Sequence, residues 1–215
     1  MTSILQRFKG LYPEVDYQSL MAHMTEQSHP RRKLKALQKE GVLIRLKKGF
    51  YVFSHEFLGK SYSPQIVANL LYGPSYVSLE SALAFYNLIP ERVSAWTSVT
   101  TQKNKAFVTP IGTFTYAHLA ESIYPFGVTL KSNSDERTFL IASPEKALMD
   151  VFTLRFKNSA MPSKSDLVIA LEEDLRIDTK ELRTIISINK IQHMKPFYRN
   201  RRWNKLLIDY LLERK

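Results

Sequence analysis

The chain contains no cysteine. That removes a disulfide framework, a thiol nucleophile and any cysteine-ligated zinc site. Glycine is scarce too, seven in 215 residues, and none of it forms a glycine-rich phosphate loop. No apolar run approaches the roughly 20 residues that cross a bilayer. The first residues, Met-Thr-Ser-Ile-Leu-Gln-Arg-Phe, lack the apolar core and small-residue cleavage site of a secretory leader. A cytoplasmic protein is the expectation. The five histidines, His23, His29, His55, His118 and His193, have no metal-ligand spacing, and no Ser, His and Asp set is recognisable. No cofactor, no metal and no catalytic residue are therefore expected.

What the chain does have is positive charge, +11 in all, on an ordinary globular composition of 44% hydrophobic and 24% charged residues. The charge is segregated. Residues 1–60 hold 11 Lys and Arg against 5 acids, residues 61–185 hold 12 against 13, and residues 186–215 hold 8 against 2. A surplus needed only for solubility would spread evenly. Two basic ends around a neutral middle point to a polyanionic partner.

The N-terminal block carries a pattern that uses this charge. Ile4, Leu5, Phe8, Leu11 and Tyr12 make a short helical stripe over residues 3–12, closed by Pro13. Asp16 can cap a second helix with Tyr17, Leu20, Met21 and Met24 on one face. After a turn at residues 25–29, Ser28 or His29 caps a third helix with Pro30 in its first turn. Leu34 and Leu37 face inward there, and Gly41 stops the helix. Val42–Leu46 and Phe50–Phe53 then read as two strands joined by Lys47-Lys48-Gly49. Three helices followed by a basic hairpin is the order of a winged helix-turn-helix, which predicts a DNA-binding domain over residues 1–56.

A polar loop at 54–64 marks the expected boundary, and residues 62–215 are expected to form a mixed α+β domain with a helical C-terminus. A helix is predicted near 64–72, broken by Tyr72-Gly-Pro-Ser75, and another after a cap at Ser78. Strands are predicted at Ala95–Thr101, Ala106–Thr109, Thr113–His118, Gly127–Lys131 and Thr138–Ala142, with a turn at Pro110-Ile111-Gly112. Ser143-Pro144-Glu145 opens a helix with Leu148, Val151 and Phe152 inward. Asp178 and Glu181 resemble a capping box, and the last helix has Trp203, Leu206, Leu207, Tyr210 and Leu211 on one side.

Duplex recognition needs cations for phosphates and a few side chains for base edges. The third helix offers both at its N-terminal end. Arg31 and Arg32 can pair with a guanine edge, and Ser28 and His29 can reach phosphate or base. Lys35, Lys39, Arg45, Lys47 and Lys48 are expected on phosphates, the last two through the wing. The C-terminal cations Lys195, Arg199, Arg201 and Arg202, interleaved with aromatics, are candidates for further nucleic-acid or partner contacts. The acidic run Glu172-Glu173-Asp174 is expected to be a solvated helix end. Two other readings stay open: a protein- or RNA-interaction module on the same scaffold, and a metal-dependent nuclease built on Asp135, Glu136, Glu145, Lys146 and Asp150. The nuclease pattern wants an acid, one spacer and a lysine, and Glu145-Lys146 has no spacer.

Three segments resemble the AbiE-system antitoxins of type IV toxin–antitoxin, or abortive phage infection, operons. They are Leu34 to Val52, which is similar to that family's helix, glycine and wing; Tyr76 to Pro90; and Ser143-Pro-Glu-Lys-Ala-Leu-Met-Asp150, similar to a Pro-Glu-x-Ala-Leu-x-Asp element. One departure is Tyr86-Asn87, where relatives often carry a histidine. The resemblance implies a winged-helix transcriptional regulator that represses its own operon promoter, bound as a monomer or as a homodimer on an inverted repeat. It also implies an antitoxin domain that counteracts a nucleotidyltransferase-like toxin, directly or indirectly. Past residue 150 the likeness fades.

Overall fold

The computed structural model describes residues 4–8, 10–90, 93–156, 162–198 and 201–213. Its first unit runs α1 (Ile4–Phe8), β1 (Glu14–Asp16), α2 (Tyr17–Ala22), α3 (Pro30–Lys39), β2 (Leu43–Lys47), β3 (Phe50–Phe53) and α4 (His55–Leu58). Local chemistry explains most of these boundaries. The Asp16 carboxylate accepts the Ser19 amide at 2.7 Å and caps α2. Pro30 occupies the first turn of α3, where its missing N–H costs nothing. At the other end Gly41 takes φ +72°. The Gly41 and Val42 amides bond back to Gln38 and Leu37 at 3.2 and 3.0 Å, a Schellman closure. Gly49, at φ +83°, turns β2 into β3.

Two features depart from the sequence expectation. α1 ends at Phe8, short of Leu11 and Tyr12, and Glu14–Asp16 is a strand. β1 pairs antiparallel with β3, in register Glu14↔Val52 to Asp16↔Phe50, so the small sheet has the order β1-β3-β2. Residues 14–16 are too few to show a period, and only the partner strand makes them a strand. In addition, α4 lies where a loop was expected. Its Leu58 closes a small core made with Phe8, Val15, Leu20, Met24, Leu34, Leu37, Leu43, Tyr51 and Phe53.

The remainder contains α5 (Pro64–Leu71), β4 (Ser75–Val77), α6 (Leu79–Phe85), β5 (Ala95–Thr100), β6 (Lys105–Thr109), β7 (Gly112–His118), β8 (Val128–Ser132), β9 (Thr138–Ala142) and α7 (Pro144–Leu154). Then come α8 (Lys164–Ile169) with a π-helical turn at Ala170–Asp174, α9 (Thr179–Ile185), α10 (Ile188–Tyr198) and α11 (Arg202–Leu212). The molecule is thus mixed α+β with two sheets, and eleven α-helices among the described residues. The large sheet has the order β6-β7-β5-β4-β9-β8. β5/β7 and β4/β9 are parallel, and the other pairs antiparallel. The five strands expected from the sequence are present within a residue or two. β4, which sits at the centre, was expected only as a break between helices.

α7 lies beneath this sheet, and residues 144–153 are all buried, not just the expected stripe of Leu148, Val151 and Phe152. α11 packs on α7, α8 and α10. The two units share a seam: Leu46, Phe50 and Val52, on the back of the small sheet, join the large core. At the seam Glu14 accepts the Ser63 amide at 2.6 Å and pairs with Arg137, which also donates to the Ser61 carbonyl at 3.1 Å. No helix among the described residues is long and apolar enough to cross a membrane.

Candidate nucleic-acid interface

α3 is sharply two-sided. Leu34 and Leu37 are buried, while Arg31, Arg32, Lys35 and Lys39 are exposed on the opposite face. None of these four cations makes an ion pair among the described residues. Ser28, His29, Pro30, Arg31 and Arg32 line one shallow hollow at the start of the helix. His29 occupies the N-cap position, but its side chain makes no capping hydrogen bond. Among the described residues no side chain therefore accepts from the positive end of α3, and two guanidinium groups flank it. That combination favours an anion.

The hairpin beside it presents Arg45 and Lys48, both exposed, with Lys48 in the turn. Lys47 differs from its expected role as a phosphate contact. Its Nζ donates to the Leu71 carbonyl across the seam, and the burial that comes with this lowers its pKa. It braces the hairpin against the second unit.

The C-terminal cations do not form one open face. Lys195 pairs with Asp209 at 3.2 Å. Arg201 is half-buried at the start of α11, with its amide on the Tyr198 carbonyl. Arg202 is exposed, and Arg199 lies outside the described residues. The neighbouring aromatics are packed: Phe197 stacks on Phe126 and Trp203 on Phe152.

The nuclease candidates do not converge. Asp135 and Glu136 are exposed in the β8–β9 turn, whereas Glu145, Lys146 and Asp150 are buried. No group of three or more His, Asp or Glu side chains among the described residues could hold a metal ion. The Glu145 carboxylate instead accepts the Ser187 amide at 2.8 Å. Lys146 and Asp150, both fully buried, form an ion pair at 2.8 Å. Asp150 also accepts the Tyr76 hydroxyl at 2.9 Å and the Ser78 hydroxyl at 2.8 Å. Lys146 spends its other protons on the Ile123 carbonyl and the Tyr198 hydroxyl, each at 2.8 Å.

This cluster corrects one sequence expectation. Ser78 sits at the N-cap position of α6 without capping it, because its hydroxyl is turned to Asp150. Asp150 forms a local ion pair with Lys146, four residues away, and is the acceptor at the centre of a sealed network. Burial pushes its carboxyl up, against the opposing pull of Lys146, and burial likewise pushes the Lys146 ammonium down. The signal was present in the sequence. A Lys and an Asp four apart, interleaved with Ala147, Leu148, Met149, Val151 and Phe152, have no face on which to reach water. The network joins two of the segments noted above, the one that begins at Tyr76 and the one that ends at Asp150.

Among known proteins, no family model matches the chain, and no curated protein matches it.

Proposed function

We propose that this chain is a winged-helix DNA-binding repressor of its own operon, with α3 as the recognition helix and the β2–β3 hairpin as the wing. The observation that carries the reading is the start of α3: an uncapped helix end flanked by Arg31 and Arg32, unpaired and exposed, on the same small unit as the Lys48-Gly49 turn. In this arrangement Arg31 and Arg32 read base edges, with Ser28 and His29 beside them. Lys35, Lys39, Arg45 and Lys48 neutralise phosphates.

The antitoxin half of the proposal is supported by the resemblance of three segments to the AbiE-system family. On that reading the second unit counteracts a nucleotidyltransferase-like toxin encoded beside it.

The test is binding of the purified protein to its own upstream DNA and to a scrambled duplex between about 50 and 200 mM salt. Tight, salt-steep binding that prefers the upstream duplex is expected. Equal, weak binding to both would overturn the repressor reading. Growth of cells expressing the neighbouring toxin, with and without this chain, tests the antitoxin half separately.

A further inference from the structure

Two features of the large sheet meet at one edge. β8 is a terminal strand, with Leu130, Lys131 and Ser132 exposed and, among the described residues, no strand on its outer side. Beside it lies an open apolar patch. Leu130 pairs with Leu140 on β9, and the two are 61% and 42% exposed. The Asn69 side chain, on α5, bonds the amide and the carbonyl of Leu140 at 2.7 and 3.1 Å. The next residue, Leu70, is 53% exposed and lines a cleft with Thr138, which shares a face of β9 with Leu140. Exposed leucines in a row against an open strand edge mark a surface that a partner covers.

The sequence of β8 fits a second copy of itself. Paired residues on antiparallel strands point to the same face of a sheet. Two copies related by a two-fold axis through the sheet therefore match faces only when one residue lies opposite itself. With Leu130 on the axis, the whole of Val128–Ser132 is used: Val128 faces Ser132 of the second copy, and Thr129 faces its Lys131. The two leucine patches then merge into one. A register centred on Lys131 would set ammonium against ammonium. An edge lysine ordinarily guards against pairing. Lys131 instead leans over the Tyr86 ring, 5.9 Å from its centroid, and meets a threonine in the Leu130-centred register.

The charges beyond the strand agree with this register. Antiparallel pairing carries the β8–β9 turn of one copy, where Asp135 and Glu136 are exposed, to the start of β8 in the other. There Phe126 and Gly127 line a hollow with Lys190 and His193, both exposed. Neither Glu136 nor Lys190 has an ion-pair partner among the described residues. The two-fold axis makes this acid-to-base contact twice, which offsets the repulsion between two chains of charge +11.

We propose that β8 is a self-association edge: two copies of this chain pair antiparallel through Val128–Ser132, with Leu130 on the two-fold axis, and join their large sheets into one. The pairing requires no DNA and does not rest on the duplex-binding reading.

Sedimentation equilibrium of the full chain without DNA, over a dilution series, tests this, with thermal melting to show that each variant folds. A monomer–dimer equilibrium is expected. Leu130→Lys sets two ammonium groups on the axis and takes two leucines out of the interface, so it should weaken dimerisation by roughly tenfold or more. Val108→Lys, at an exposed apolar residue of the opposite edge strand β6, should leave it unchanged. Glu136→Lys and Lys190→Glu should each weaken the dimer, and the two together should restore it. A monomer throughout the series, a dimer that Leu130→Lys leaves intact, or one that Val108→Lys weakens as much, overturns the proposal. No recovery in the Glu136→Lys/Lys190→Glu double variant overturns the Leu130-centred register.

Discussion

Asp150 and Lys146 show how much a single buried charge commands. Each is sealed from solvent, and each satisfies the other while holding Tyr76, Ser78, Tyr198 and the Ile123 carbonyl in place. Removing one partner leaves an uncompensated charge, so Lys146→Met is expected to cost about 3–5 kcal/mol in denaturant unfolding. Adding Asp150→Asn should cost less than the sum of the two single changes, and simple additivity would show that the pair is not coupled. Two half-buried tyrosines add a pH dependence. Burial, helped by the Glu145 carboxylate, pushes Tyr86 up to about 12; burial, helped by Asp150, does the same to Tyr124. A phenol raised in the folded state stabilises the fold fully below its ordinary value of 10 and loses that contribution as the pH climbs through 12. Tyrosinate absorbance and circular dichroism should therefore change together above pH 10. Reversible ionisation of these tyrosines near 10, with the fold intact, would contradict it. At the surface, Arg31→Ala or Arg32→Ala should cost roughly 1–3 kcal/mol on the upstream duplex and far less on a scrambled one. Equal losses on both would assign the arginines to phosphates.

Among the elements, those with strong local signals formed where the sequence placed them. α3 has a proline start, an amphipathic face and a glycine stop, and its bounds follow directly. β1 and β4 are three residues each and have no period to read. They exist because β3 and β5 offer a ladder to them. Gly127, just before β8, is another element-scale determinant. It holds φ +83°, its carbonyl accepts the Ser143 amide at 2.8 Å, and a Cβ there would lie 2.8 Å from Lys146 Cβ and 2.9 Å from Met194 Sδ. Gly127→Ala is expected to cost about 2–4 kcal/mol, since backbone strain and overpacking add. Gly49→Ala, at a similar φ but in open space, should cost only about 1 kcal/mol. Equal melting losses for the two would show that the contact with α7 and α10 carries no weight.

In the whole molecule the notable device is the seam. Glu14 is buried between the units and receives the Ser63 amide and the Arg137 guanidinium, while Lys47 reaches across to Leu71. Arg137→Ala strands the Glu14 carboxylate, with an expected loss on the order of 3 kcal/mol. Both tryptophans, Trp96 and Trp203, lie in the second unit. Their fluorescence should then report a later transition than circular dichroism, because the first unit loses its brace. Coincident transitions at the original midpoint would show that the clasp is dispensable.

The elements with long local signals and the two-sided character of α3 are written in the sequence alone. Caps, periods and charge runs act over a few residues and are written in order along the chain. The pairing of β1 and β4, the inward turn of Lys47 and the burial of Lys146 and Asp150 were decided only by tertiary structure. Each depends on residues far apart in the chain: Glu14 with Arg137, Lys47 with Leu71, Asp150 with Tyr76. Whether a lysine faces solvent or a carbonyl is set by what the rest of the chain packs beside it, and no local pattern encodes that neighbour.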